Sequence, residues 1–353
     1  MKVHLKPVAE QTIVITGATS GIGLTTARMA AAKGARVVLV ARNEQALQRL
    51  SGDINARGGQ SIYSAADVAD ETALGHAARA AAERFGGFDS WVNNAGTSIY
   101  GRITDVPLAD FRRLFETNFW GVVNGSRIAF EHLRRRGGAV INLGSEVSDA
   151  PVPLQGMYSA SKHAVKGFTD ALRMEARADR LPISVTLIKP TAIHTPFPQN
   201  ARNYLPYEPQ LPPPLYAPEL VAEAILYCAE HPRRDFFVGG MATSMALNAP
   251  AVYGAFNAAL IDSMQNSGVP TRPGRRDGLY RTNSRLRQRG PGDRFVREHS
   301  LYQSAGLHPA GFAAAVLLAG SALASLLQRM ARTDRMTRRG LFGRRSLLQS
   351  EGR

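Results

Sequence analysis

Five short runs are apolar or β-branched along nearly their whole length: Thr12–Thr16, Ala35–Val40, Phe88–Val92, Ala139–Leu143 and Ile183–Ile188. A strand of alternating pattern hides one face only. These runs read as strands covered on both faces, as in a parallel sheet. A weaker run at Ser61–Ser64 and a last one at Asp235–Val238 bring the expected strands to about seven. Between them lie alanine-rich stretches with a period near 3.6, at 21–33, 43–57, 71–85, 110–134, 156–178 and 218–231. Strand and helix alternate over most of the chain. The pattern predicts a Rossmann-like α/β fold, a doubly wound and mostly parallel sheet with helices on both faces.

Residues 198–217 break the rhythm. They are proline-rich, hold three tyrosines and show no period, so they read as a long surface loop of the kind that forms lids. Another helical stretch follows Gly240 and runs to about Met264. The expected division is a catalytic body over 8–267, a basic linker over 268–303, an apolar helix over 304–328 and an arginine-rich tail over 329–353.

Charge sharpens that division. The 353 residues carry a net +15, but residues 268–353 hold 17 arginines and five acidic residues, a net +12. The body is close to neutral, which argues against nucleic acid as its partner. Pro309–Leu327 has no charged residue. As a helix it would span about 28 Å, against a hydrocarbon core of about 30 Å. A spanning helix, an interfacial helix and a helix packed on the body or on a partner all fit it, and the flanking arginines suit anionic lipid. The chain has one cysteine, Cys228, and opens without a secretory apolar run. The expected place is the cytoplasm, with attachment to the cytoplasmic face of a membrane through the C-terminal helix. The eight histidines form no HxH or HxxxH cluster, and no metal site is expected.

Candidate chemistry begins at Thr16-Gly-Ala-Thr-Ser-Gly-Ile-Gly23, between the first strand and first helix. Gly17 permits the turn, Gly21 admits a pyrophosphate close to the backbone, and Gly23 lets helix and sheet pack. Thr19, Ser20 and Ile22 complete the loop, and the helix N-terminus faces the anion. The second strand ends on Ala41-Arg42 and lacks the acid that usually holds the ribose hydroxyls of NAD. Arg42 either faces the 2′-phosphate of NADP or opens the next helix as a solvated side chain; the missing acid favours NADP(H) over NAD(H). Tyr158 and Lys162 stand four residues apart, on one face of a predicted helix. An ammonium near a phenol lowers its pKa and suits it to move a proton at a carbinol oxygen. Ser145 ends the preceding strand, with a hydroxyl able to polarise the same oxygen. Asn118 lies on the helix before that strand.

These segments together resemble the short-chain dehydrogenase/reductase family in its form of about 250 residues. The matches are TGATSGIG, Asp67-Val68, Asn93-Asn-Ala-Gly96, Asn118, Ser145, Tyr158-Ser-Ala-Ser-Lys162 and Pro190 through Thr195, in family order over about residues 8–240. The resemblance implies a catalytic tetrad of Asn118, Ser145, Tyr158 and Lys162. Tyr158 would be the acid/base, and Lys162 would also bond the nicotinamide ribose. Asn118 would support a water-linked proton relay. Asp67 and Val68 would meet adenine, Asn94 would stand on the cofactor side of the central strand, and Ile193 and Thr195 would receive the carboxamide. One departure stands out. The family usually has Gly after the proline of the sixth strand, and here it is Thr191. A β-branched residue resists positive φ, so the loop is expected to take a different path. His194 in that loop is read as a plain loop residue.

The expected function is NADP-dependent hydride transfer between nicotinamide and a secondary alcohol or ketone. Phe197, Tyr204, Tyr207 and Tyr216 point to an apolar or aromatic substrate or to a packed lid. A non-catalytic NADP-binding sensor or scaffold is the alternative. The resemblance also implies a homodimer, for which Phe115, Phe119 and Trp120 offer an apolar seam.

Overall fold

Seven strands form one parallel sheet: β1 Thr12–Thr16, β2 Arg36–Ala41, β3 Gln60–Ala65, β4 Ser90–Asn93, β6 Gly138–Leu143, β7 Ile183–Pro190 and β11 Asp235–Val238. Their order across the sheet is β11-β7-β6-β4-β1-β2-β3. Each neighbouring pair is parallel, for example Val14 opposite Val38 and Val140 opposite Val185. β1, β4, β6 and β7 are buried at every position, which is why they read as unbroken apolar runs. The computed structural model describes residues 3–239, 265–282, 285–292 and 294–307.

The crossovers are helical: α1 Gly21–Ala32, α2 Glu44–Ala56, α3 Glu71–Phe85, α4 Leu108–Phe115, α5 Gly121–Arg136, α6 Gly156–Ala178 and α8 Pro218–Glu230. α2 and α3 start on Asn43 and Asp70, whose side chains accept from the N–H of Ala46 and Ala73. That satisfies donors the first helical turn leaves unpaired. The main core lies under α3, α5 and α6 and includes Trp91, Phe88, Val140 and Leu133.

The sequence predicts one helix over 110–134. The structure divides it: α4 passes through a π turn, Glu116–Trp120, into α5. A π turn inserts one residue into the helical count, and such insertions mark functional sites. Asn118 lies inside it and is fully buried.

The 198–217 loop carries short elements: helix α7 Phe197–Asn200 and strands β8 Arg202–Asn203, β9 Tyr207–Pro209 and β10 Leu215–Tyr216. β8 pairs with β5 Ile99–Tyr100. β9 and β10 pair with β12 Asn266–Pro270 and β13 Val296–Arg297. The segment predicted to be a linker, 268–303, therefore pairs with the body through β12 and β13. Its arginines find partners there: Arg275 bonds Glu208 at 3.0 Å and Arg289 bonds Glu219 at 3.1 Å.

The chain divides into units at 1–303 and 304–353, and the short helix Leu301–Leu307 enters the second. The helical stretch expected at 240–264, the apolar run 309–327 and the tail 329–353 lie outside the described residues. Among the described residues no helix is long and apolar enough to cross a membrane.

Candidate active site

Sheet order reverses where β1 meets β2 on one side and β4 on the other. Ligands of open α/β sheets bind at that switch, beyond the carboxyl ends of the strands. A cleft of ≈ 300 Å³ opens there.

The phosphate loop forms its floor. Gly17 and Gly21 have φ of 69° and 51°, left-handed values that favour glycine. A Cβ on Gly17 would stand 2.9 Å from the Ala95 backbone, and one on Gly23 would overlap the Gly17 carbonyl. Gly23 thus acts behind the wall, while Gly17, Thr19, Ser20, Gly21 and Ile22 line the cleft. Asn94 ties this loop to β4. Its Nδ2 donates to the Thr16 carbonyl at 2.8 Å, and its own N–H donates to Thr16 Oγ1 at 3.0 Å. α1 has no acidic residue in its first turn, so its positive end stays uncompensated by side chains.

One end of the cleft lies beyond the carboxyl ends of β2 and β3. Arg42, Asp67 and Val68 line it. Asp67 is in a salt bridge with Arg113. Arg42 does not point freely into the cleft. It donates to the carbonyls of Gly278, and of Leu279 and Arg281 at 3.2 Å each. Burial lowers its pKa, with the Asp67 charge acting the other way.

At the opposite end stand Ser145, Tyr158 and Lys162. Ser145 caps the turn Glu146–Ser148, accepting from the Val147 N–H at 3.3 Å. Lys162 is on the core face of α6, 5% exposed, and its Nζ donates to the Leu143 carbonyl at 2.7 Å. Nζ lies 5.9 Å from the centre of the Tyr158 ring. Burial pushes Lys162 down to about 8.

Burial also raises the Tyr158 phenol well above its ordinary range, outweighing a hydrogen bond with Ser145; the Glu146 carboxyl adds to the rise. The sequence led us to expect a phenol lowered by its lysine. Here the Lys162 ammonium is bonded to the Leu143 carbonyl, and burial is the largest influence on the phenol.

Asn118 stands behind this wall. Its Nδ2 donates to the Thr97 carbonyl at 2.9 Å and to Ser161 Oγ at 3.1 Å, and its Oδ1 accepts from the Thr97 N–H at 2.8 Å. A Cβ on Gly96 would meet Asn118 Oδ1 at 3.5 Å and Lys162 Nζ at 3.9 Å. The two side chains thus converge on one point of the backbone, and the π turn is what aims Asn118 there.

Ile193 and Thr195 line the cleft, with Thr195 packed over Gly21. Thr191 keeps φ out of the positive range. Its N–H continues the β7–β11 pairing to the Val238 carbonyl at 3.1 Å, and its side chain packs on Gly239. Gly239, just past β11, leaves room for the Thr191 side chain. His194 lies under Gly290 and does not face the cleft, and burial lowers its pKa.

Of the four lid aromatics, Phe197 reaches the cleft and stands 5.5 Å from the Tyr158 ring. Tyr204 turns its hydroxyl to Asp110. Tyr207 and Tyr216 sit in β9 and β10 and do not line the cleft. Sequence reasoning missed Glu146, Gln155 and Gln265, polar groups on the Tyr158 side of the cleft. It also missed Gly278, Arg281 and Thr282 at the β2 end of the cleft, because their segment had the composition of a linker.

Known proteins agree with this geometry. The family model for short chain dehydrogenase matches residues 11–205. An uncharacterized oxidoreductase, YxnA, of Bacillus subtilis (strain 168) is 42% identical over 322 residues, which is 89% of this chain and 90% of that protein. Its match extends into the C-terminal segment that the family model leaves uncovered. Dehydrogenase/reductase SDR family member 7B of Bos taurus is 38% identical over 54% of this chain and 60% of its own. A solved structure of an alcohol dehydrogenase from the archaeon Thermococcus sibiricus, complexed with 5-hydroxy-NADP, superposes with a TM-score of 0.56. It is 26% identical, covering 65% of this chain and 94% of that one. The glycine cradle, the switch-point cleft and these likenesses converge: the chain belongs to the short-chain dehydrogenase family and is an oxidoreductase that binds a nicotinamide dinucleotide and acts on CH–OH groups.

Proposed function

We propose that the chain is an NADP-preferring alcohol dehydrogenase or ketone reductase, with Tyr158 as its acid/base. The observation that carries this reading is the grouping of Ser145, Tyr158 and Lys162 on one wall of the cleft, with Tyr158 partly buried and Lys162 Nζ 5.9 Å from its ring centre. The bound dinucleotide supplies or takes the hydride. The chain does the rest. Ser145 and Tyr158 hold the carbonyl oxygen, and Tyr158 gives it a proton, or takes one in the oxidative direction. Lys162 keeps positive charge next to the phenol as the proton leaves. Asn118, through Thr97 and Ser161, positions the wall.

Preference for NADP rests on the end of β2, where no carboxylate awaits the ribose and guanidinium charge gathers instead. The superposing alcohol dehydrogenase holds an NADP derivative, which fits this choice. The substrate end has an apolar side, with Phe197, Val147, Val152, Leu211 and Pro212. Glu146 and Gln265 add acceptors, and Gln265 Oε1 is buried without a partner. The substrate is an apolar or aromatic alcohol or ketone carrying a hydrogen-bond donor.

A panel of ketones and alcohols, followed by NADPH absorbance, tests the reading. Turnover is expected with aryl or alkyl ketones that bear a hydroxyl or amino group. Tight cofactor binding with no turnover across the panel favours a sensor instead. Trp120 on the π turn and Met174 on α6 are 47% and 70% exposed, which supports a homodimer through this face. On sequence alone, we further place the body on the cytoplasmic side of a membrane, held by residues 304–345. Full-length protein that stays monodisperse without detergent contradicts that placement.

A further inference from the structure

The segment with linker composition crosses the β2 end of the cleft, and its path is fixed at three places. First, the Leu279 side chain is fully buried against Phe111 and Leu114, and its carbonyl accepts from Arg113 Nε at 3.3 Å. Second, Arg42 donates to three carbonyls between Gly278 and Arg281, and Asn43 Nδ2 donates to Thr282 Oγ1 at 3.1 Å. Third, at the start of α1, the Gly21 N–H donates to the Arg287 carbonyl at 2.8 Å. Gln288 there donates to Thr25 Oγ1 at 3.1 Å and accepts from Arg28 at 2.7 Å. A tether makes no such bonds. This is a wall of the cleft, joined to the ends of both β2 and the phosphate loop.

That wall changes what Arg42 is free to do. Three of its five N–H donors go to carbonyl oxygens, which holds its guanidinium against the C-terminal segment. Arg281 is in the opposite position. It lines the cleft, its side chain is exposed, and its guanidinium has no hydrogen bond or ion pair among the described residues. Its backbone is anchored where Arg42 grips its carbonyl. The two carboxylates at this end do not oppose an anion, because Asp67 is paired with Arg113 and Asp277 with Arg202 at 3.3 Å. A 2′-phosphate carries close to two negative charges and several acceptor oxygens, as any phosphomonoester does. It calls for a guanidinium with unspent donors that costs little to desolvate.

We propose that Arg281, supplied by the C-terminal segment, reads the 2′-phosphate of NADP, and that Arg42 is the strut that positions it. The proposal rests on the NADP preference put forward above.

Titration calorimetry of the full chain with NADPH and with NADH tests it, for wild type, Arg281→Ala, Arg281→Lys and Arg42→Ala. Arg281→Ala is expected to weaken NADPH about 10–100-fold, the scale of a charged hydrogen bond, with NADH within about twofold. Arg281→Lys keeps part of the affinity, since the charge stays and the fork is lost. Arg42→Ala weakens both dinucleotides, because it loosens the wall. An Arg281→Ala protein that binds NADPH like wild type overturns the proposal. So does an Arg42→Ala protein that loses NADPH alone, which would place the phosphate on Arg42. Wild type that prefers NADH overturns the cofactor reading itself, a failure distinct from the other two.

Discussion

The backbone N–H of Gly21 donates to the carbonyl of Arg287 at 2.8 Å, so the start of the first helix is tied to a segment near the other end of the chain. Gly21 is also where the glycine-rich loop turns toward the cleft. The cofactor floor and the C-terminal wall therefore share a hydrogen bond, and whatever loosens the wall is felt at the floor.

Leu279 is the apolar anchor of that wall, buried at 0% exposure. Leu279→Ala is expected to weaken docking of the segment by about 2–5 kcal/mol, the range for truncating a buried leucine. Hydrogen exchange over 277–288 should rise, and NADPH and NADH affinity should fall together. Unchanged exchange in that segment would contradict the docking.

Asp149 is held by Lys189 at 2.9 Å and by Lys166, with Asp149 and Lys189 side chains 6% and 4% exposed. Burial acts to raise its pKa, but hydrogen bonds from Lys166 and Lys189 and their charges outweigh it, and the carboxyl ends below its usual range. Asp149→Ala leaves Lys189 without its partner and should lose about 3–5 kcal/mol in denaturant unfolding. The pH sign follows from the depressed pKa. The contribution is present above the unfolded value, near 3.8, and is lost as pH falls through the lower folded value. A variant as stable as wild type at pH 7 would show that the pair is idle.

Glu146, next to Ser145, is pushed up to about 7 by burial. Its folded pKa lies above the unfolded value near 4.5, so its contribution is full below 4.5 and is lost as pH rises through 7. Melting temperature between pH 5 and 8 should therefore fall more steeply in wild type than in Glu146→Gln. Parallel curves would place the carboxyl in solvent.

The sheet was legible because its strands are buried on both faces and spell that out in Val, Ile and Leu. β3, with half-buried positions such as Ile62 and Tyr63, gave the weaker signal for the same reason. The helices over 43–57 and 71–85 were legible from their period, and their caps at Asn43 and Asp70 emerge in the structure. The π turn was not. An inserted residue leaves the apolar period of 110–134 almost unchanged while it rotates Asn118 toward Thr97. The wall at 277–288 was hidden for another reason. Much of what holds it is the backbone carbonyls of Gly278, Leu279, Arg281 and Arg287, and a carbonyl has no letter in the sequence; the one apolar anchor, Leu279, is too isolated to give a period. Its arginines and glycines read as solvated chain. The spacing of Tyr158 and Lys162 was legible and the structure brings both to the cleft, but the bond of the Lys162 ammonium to the Leu143 carbonyl was not, because a carbonyl leaves no mark in the sequence.

The most direct test of the account is turnover by Tyr158→Phe measured beside its cofactor affinity. The proposed mechanism gives the proton transfer to the phenol, while the ring packs against Phe197 at 5.5 Å. Tyr158→Phe is expected to bind NADPH like wild type and to lose ketone reduction by about 10²–10⁴-fold, the usual contribution of a placed acid/base. Turnover within a factor of two of wild type, with NADPH binding intact, would contradict the assignment of Tyr158 and the mechanism built on it.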